Sequence, residues 1–190
     1  MSVPTIGFAM CGSFCTYSVV FRALEQLQAQ YPSIVPIMST VSYTTDSRFG
    51  AAADFRARLE TLCGHEILHT IPDVEPIGPK KLLDALVIAP CTGNTLAKLA
   101  AGIADGPVTL ACKAHLRNER PVILAVSTND GLAANAKSIG ELLSRDHYFF
   151  VPFGQDAAKT KPRSLVAHFD QLPETVSAAL RGEQIQPLLV

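Results

Sequence analysis

Charge is scarce in this sequence. Asp, Glu, Lys and Arg make up 17% of its 190 residues and leave a net charge of −1. A chain this neutral has no bulk attraction for nucleic acid or an anionic membrane, which sets both aside as partners. No apolar run reaches the roughly 18–20 residues that a membrane-spanning helix needs. The opening MSVPTIGFAM has no basic segment and reads straight into a strand, so no signal peptide is expected. The five cysteines include no C-x-x-C pair, which fits free thiols in a reducing cytoplasm. Two nucleotide-binding motifs are also lacking. Gly7 and Gly12 have Walker A spacing, but Ser13 and Phe14 stand where Lys and Ser/Thr belong. No G-x-G-x-x-G occurs either, so a monophosphate suits this corner better than a nucleoside triphosphate or NAD.

Apolar residues, by contrast, make up 48% of the chain. That supports one compact domain over residues 1–190 with a full core. A surface so poor in charge also leaves room for subunit interfaces and is compatible with a homo-oligomer.

The stretch from Leu86 to Gly106, LVIAPCTGNTLAKLAAGIADG, organises the rest. Leu86–Ala89 reads as a buried strand of a parallel sheet, ended by Pro90. A turn of small polar residues follows, Cys91 to Thr95. The next helix carries Leu96, Leu99 and Ile103 on one face and stops at Asp105-Gly106-Pro107. Further strands are expected at Thr5–Met10, Ile34–Met38, Pro121–Val126 and His147–Val151. Helices are expected over Phe14–Gln30, Ala51–Cys63, Val108–Arg117, Ala133–Leu143, Ser164–Asp170 and Glu174–Arg181. Tyr43–Gly50, Pro72–Pro79 and Gly154–Pro162 read as loops. The alternation predicts an α/β fold, a single doubly wound parallel sheet of Rossmann-like or flavodoxin-like type with helices on both faces.

In such sheets ligands sit at the carboxyl ends of the strands. Four polar turns fall there: Gly12-Ser13, with Ser13 a candidate N-cap; the hydroxyl-rich strand end Ser39 to Ser42; Pro90 to Thr95; and Ser127 to Asp130. Each also suits an ordinary strand-to-helix turn, with Thr92 or Asn94 as N-cap. Arg48, in a polar loop, either pairs with a carboxylate or phosphate or is simply solvated. His65-Glu66-Ile67-Leu68-His69 matches the H-E-x-x-H pattern of zinc peptidases. Gly64 and Pro72 crowd it, and HEILHTI alternates like a strand, which holds residues four apart about 13 Å from each other, too far to share a zinc. No metal site is assigned.

Ala89 to Asp105, APCTGNTLAKLAAGIAD, resembles the A-P-A-[ST]-A-N-T-[IL]-[AG]-K-[IML]-A-x-G-I-A-D motif of the flavoprotein superfamily, and Gly12-Ser13 after the first strand matches it too. That superfamily includes phosphopantothenoylcysteine decarboxylases, lantibiotic cysteine decarboxylases and flavin prenyltransferases. Within it, GSFCT (12–16), TDSRFG (45–50), STNDGLAANAKSIGELL (127–143) and YFFVPFGQDAAKTKPRSLVAHF (148–169) are similar to the family of B-type dipicolinate synthase subunits.

The resemblance implies a cytoplasmic sporulation protein of the mother cell. It would act with a separate NADPH-using partner, the A-type subunit of dipicolinate synthase, to make dipicolinate from dihydrodipicolinate, a small dicarboxylate. It implies FMN held by Gly12, Ser13, Ser39 and Ser42, with Pro90, Cys91, Thr92, Gly93, Asn94 and Thr95 along the isoalloxazine and Ser127 and Thr128 completing the set. Asn94, Arg48 and Lys98 become the candidate catalytic residues, the two cations meeting substrate carboxylate or phosphate. The subfamily-specific segment 152–190 brings Lys161 and Arg163, either over the site or toward the A-type partner. Cys91 and Gly93 depart from the family pattern, and the decarboxylases' histidine base has no counterpart. An FMN-dependent decarboxylase of a cysteine derivative and a cofactor-free scaffold are the alternatives.

Overall fold

The computed structural model describes residues 3–190. Strand β1 (Ile6–Met10) is buried along its whole length. A 3-10 turn then leads into helix α1 (Tyr17–Gln30), which buries Tyr17, Val20, Phe21, Leu24 and Leu27 at helical spacing. Next come β2 (Ile34–Met38), the short α2 (Thr40–Thr44) and α3 (Ala52–Cys63), which stops at Gly64 in the left-handed conformation, φ 68°. Helix α4 (Ile71–Val74) and a 3-10 turn fill the stretch expected as a loop. Then follow β3 (Ala85–Cys91), α5 (Gly93–Ala100), α6 (Pro107–Leu116), β4 (Val122–Thr128) and α7 (Ala136–Leu143). The chain closes with β5 (Tyr148–Phe150), β6 (Phe153–Gly154), β7 (Leu165–Ala167) and α8 (Leu172–Ala179).

Strands β2, β1, β3 and β4 lie side by side and parallel, in that order. The order reverses between β1 and β3, which is where an open α/β sheet leaves a crevice. Helix α1 packs on α8, α5 packs on α6 and α7, and helices cover both faces of the sheet. All seven residues of β3 are buried, as expected of a strand covered on both sides.

The sheet is not wholly parallel. β4 pairs with β5 in parallel at Val122–Leu124, then with β7 antiparallel at Ser127–Thr128, and β6 pairs antiparallel with β7. The expected helix over Ser164–Asp170 is therefore a strand and a 3-10 turn. Its burial alternates, Leu165 and Ala167 inside and Val166 half-exposed, with the period of two that belongs to a strand. Pro90 does not end β3. The register between β3 and β4 shifts between Ile88 and Cys91, so the missing proline N–H breaks no ladder bond. Ser39–Ser42 opens α2 rather than extending β2, because the Ser39 hydroxyl accepts from the Ser42 amide at 3.2 Å and caps a turn of helix. Between His65 and Thr70 only Leu68 pairs in the sheet, as an isolated bridge to Ile37.

Candidate functional site

The carboxyl ends of β1, β2, β3 and β4 surround two cavities of about 410 and 370 Å³ that share Gly12 and Thr92 in their walls. The larger lies toward β2. Ser39 faces it after β2, and its hydroxyl pairs with that of Ser42 at 2.8 Å. Thr92 caps α5, its Oγ1 accepting from the Thr95 amide at 3.2 Å and lying 3.0 Å from the Thr95 hydroxyl. The Thr95 hydroxyl donates to Cys11 Sγ at 3.3 Å. One proton direction therefore runs from Thr92 through Thr95 to Cys11. Val41, Pro107 and Val108 add apolar side chains to the same lining. Lys98 reaches the rim, but its ammonium binds both oxygens of Asp105 at 2.8 and 2.9 Å. That bond holds the Asp105 carboxyl below the usual carboxylate range. An anion here would meet hydroxyl and amide donors before it met an uncommitted cation.

The smaller cavity lies toward β4. Ser13 and Ser127, on separate turns, meet there with their hydroxyls 2.7 Å apart. The turn after β4 is held by Asp130, whose carboxylate accepts from the Thr128 hydroxyl and twice from the Asn135 amide, at 2.9 and 2.8 Å. These bonds hold its carboxyl below the usual range, the one from Thr128 most of all. Gly93, the first residue of α5, abuts this network: a Cβ there would come within 2.5 Å of both Asn135 Nδ2 and Thr128 Oγ1. A glycine is thus required where α5 starts against the β4 turn.

The structure brings most of the expected residues together. Gly12, Ser39, Thr92, Asn94, Thr95 and Lys98 line the larger cavity, and Ser13, Gly93, Ser127, Thr128 and Lys161 the smaller. Ser13 is not a side-chain N-cap: its hydroxyl bonds Ser127 instead, and α1 starts at Tyr17. Ser42, Pro90 and Cys91 are buried behind the walls, where Ser42 acts by holding Ser39. Arg48 is exposed, with its guanidinium 4.9 Å over the Phe49 ring, and lines neither cavity; nor does the exposed Arg163. Burial pushes the Cys91 thiol well above its usual value and Cys11 up to about 11, so neither is a thiolate at neutral pH. Sequence reasoning misses Asp105 and Thr109 at the larger cavity and Asp156 and Ser164 at the smaller. Asp105 is legible only as a helix stop. Ser164 is hidden because 164–170 reads as a helix.

The larger cavity fits a flavin mononucleotide on its own terms. Its lining combines hydroxyls with apolar side chains, and Gly12 leaves open a gap in which a Cβ would come within 3.2 Å of Val41. Such a mixture suits a group that carries both a phosphate and a flat ring, and the volume lies in the range of cofactor pockets.

The sequence model of the Flavoprotein family matches residues 2–139. Over 185 residues the chain is 45% identical to the B-type subunit of dipicolinate synthase from Bacillus subtilis (strain 168), covering 97% of this chain and 92% of that one. The chain belongs to the Flavoprotein family, on the branch of the B-type dipicolinate synthase subunits. The crystal structure of the B-type subunit of dipicolinate synthase from Bacillus halodurans superposes with a TM-score of 0.90 at 40% identity, covering 100% of this chain and 98% of that one. The FMN-dependent cysteine decarboxylase SpaF shares the fold, with a TM-score of 0.68 at 24% identity over 94% of this chain and 95% of that one. The Flavoprotein match ends within α7, so the antiparallel strands β6 and β7 lie in the part that the branch relatives cover and the family model does not.

Proposed function

We propose that this chain is the FMN-holding B-type subunit of a dipicolinate synthase. It acts with an A-type partner that uses NADPH, and forms dipicolinate from dihydrodipicolinate in the mother-cell cytoplasm of a spore-forming bacterium. The observation that carries this reading is the hydroxyl-lined double cavity at the carboxyl ends of β1–β4, on a chain 45% identical to a named B-type subunit of that enzyme along nearly its whole length. Bound flavin supplies two-electron redox chemistry. In the larger cavity the amides near Gly12 and the hydroxyls of Ser39, Thr92 and Thr95 hold the phosphate, and Val41, Pro107 and Val108 exclude water from the ring. Asn94, exposed on the first turn of α5, offers an amide to a carboxylate. Lys98 serves as a cation once Asp105 yields it. Residues 152–190 form the branch-specific part of one domain, and the chain assembles as a homo-oligomer.

Decarboxylation of a cysteine derivative is less well supported. None of the five histidines lines either cavity, so a histidine base is missing from this chain's own walls. The deciding experiment is the absorption spectrum of the purified chain after addition of FMN and gel filtration. Retained flavin bands are expected, followed by dipicolinate formation once the A-type partner and NADPH are added. A colourless chain that leaves FMN in the small-molecule fraction would falsify the flavin role and leave a scaffold for that partner.

A further inference from the structure

The stretch His65–His69 keeps one histidine for a purpose other than metal. His65 and Glu66 are exposed, whereas His69 is half-buried and lays its imidazole flat on the Tyr43 ring, with centroids 3.7 Å apart and planes 6° from parallel. The Arg56 guanidinium, from α3, lies 4.6 Å from the centre of the same tyrosine ring and donates to the Tyr43 carbonyl. Three separate segments therefore meet at Tyr43.

His69 is held from its own side. Its neighbour Leu68 is tied to β2 by two backbone bonds, the Leu68 amide donating to the Pro36 carbonyl at 2.9 Å and the Met38 amide to the Leu68 carbonyl at 3.0 Å. The His69 amide donates to Asp73 Oδ2 at 3.0 Å, and Asp73 in turn completes the capping box of α4 with Thr70. The ring's Nδ1 lies 3.2 Å from the Ile67 carbonyl, and since a carbonyl only accepts, that nitrogen carries the hydrogen. The imidazole is thus a fixed plate attached to β2.

Tyr43 has less support from its own helix. α2 has five residues, too few for a helix to stand alone in water. Yet its first turn supplies part of the larger cavity: Ser39, Thr40 and Val41 line it, and Tyr43 does not. The position of that wall depends on what holds α2 from outside the cavity. The Ser39–Ser42 bond acts within the turn, whereas the Tyr43 stack joins the turn to β2 and α3.

We propose that His69 is a positioning residue for the larger cavity. Its stack on Tyr43 clamps α2, and the clamp fixes the Ser39 hydroxyl and the Val41 side chain where a ligand meets them. His69 itself lines neither cavity, so it acts through Tyr43 and by preorganisation: a wall already in place needs no ordering when the ligand arrives. The inference deepens the proposed function, and rests on it for naming FMN as the ligand.

The test compares the full chain with His69→Ala, His69→Phe, Tyr43→Leu and the double variant of His69→Ala with Tyr43→Leu. Two quantities are read: the dissociation constant for FMN, from quenching of flavin fluorescence, and amide hydrogen exchange along the chain. Loss of a stacked pair shifts an equilibrium by about three- to tenfold. His69→Ala is expected to raise the FMN dissociation constant by that factor and to speed exchange of amides 40–45 to a similar extent, with the amides of β1 and β3 unchanged. His69→Phe, which keeps a flat ring, is expected to restore both. Adding His69→Ala to Tyr43→Leu is expected to change nothing further, as for two residues that act through one contact. Should His69→Ala fail to fold, Tyr43→Leu reads the same contact from the other side, and an unaltered Tyr43→Leu overturns the clamp. Where the wild type binds FMN, unaltered affinity in His69→Ala, no recovery in His69→Phe, additive losses in the double variant, or faster exchange spread evenly through β1 and β3 each overturns it too. A wild-type chain that leaves FMN unbound defeats the flavin reading alone, and the clamp then stands or falls on the local exchange and its recovery in His69→Phe.

Discussion

At the scale of single residues, His115 sets the acid limit of the fold. It is wholly buried in α6, with Nε2 donating to the Pro121 carbonyl at 3.1 Å and Nδ1 unpaired. Burial pushes its pKa down to about 4, against the pull of the Pro121 bond. The folded chain thus keeps the ring neutral, while an unfolded chain takes up a proton near pH 6.5. The stability tied to this group is whole above pH 6.5 and is lost as pH falls toward 4, a total of about 3 kcal/mol. Urea unfolding across that range is expected to show the decline, and His115→Gln to flatten it. The paired Asp73 and Asp105 lose their share only at still lower pH, because their carboxyls already sit below the usual range. Gly93 tests the wall of the site. Gly93→Ala drives a methyl into the Asp130–Asn135–Thr128 network and is expected to cost about 2 kcal/mol, read by the same unfolding curves.

At the scale of elements, the parts legible in the sequence are those whose pattern is local. Strands β1, β2 and the start of β3 announce themselves as short apolar runs, and α1, α3 and α6 by their period and stops. Thr92 is readable as a cap because a hydroxyl three residues before a usable amide is a local signal. β7 is not readable, since its identity depends on meeting Ser127 and Thr128, far back in the chain. Pro90 misleads for a related reason: whether a proline breaks a strand depends on which ladder bonds the neighbour needs, and the shifted register needs none there. The last residues cover an edge. The Phe153 amide donates to the Leu188 carbonyl at 3.0 Å, and a Cβ at Gly154 would strike the Val190 carbonyl. Deleting residues 186–190 uncovers β6 as an open edge, and the shortened chain is expected to associate, seen as growing particle size by light scattering where the full chain holds steady.

At the scale of the molecule, the site is easier to locate from the sequence than its members are to assign. Four turns spread from Gly12 to Asp130 converge because the doubly wound order brings their strands together, and the Ser13–Ser127 bond joins residues 114 positions apart. What stays illegible is direction: Ser42 and Cys91 point behind the walls, and Arg48 stands over Phe49. No helix among the described residues is long and apolar enough to cross a membrane. The exposed apolar residues instead include Val41 at the larger cavity, 55% exposed, and Phe49, 46% exposed, on the loop after α2. Together with the low charge they lead to an expected mass several times that of one chain in sedimentation velocity, and Val41→Glu is expected to shift the population toward smaller species.

Strand β4 behaves as a two-pronged fork. Its first half carries β5, which continues the parallel sheet, and its tip carries β7, which runs back the other way. Ser127 lies at the tip, so its backbone pairs with the antiparallel β7 while its side chain meets the turn after the parallel β1. Whatever segment is seated on that prong sets the angle at which Ser127 meets Ser13. A change in the segment after β5 would be felt first at the Ser13–Ser127 pair and not at the Ser39 and Thr92 hydroxyls, which stand on other strands.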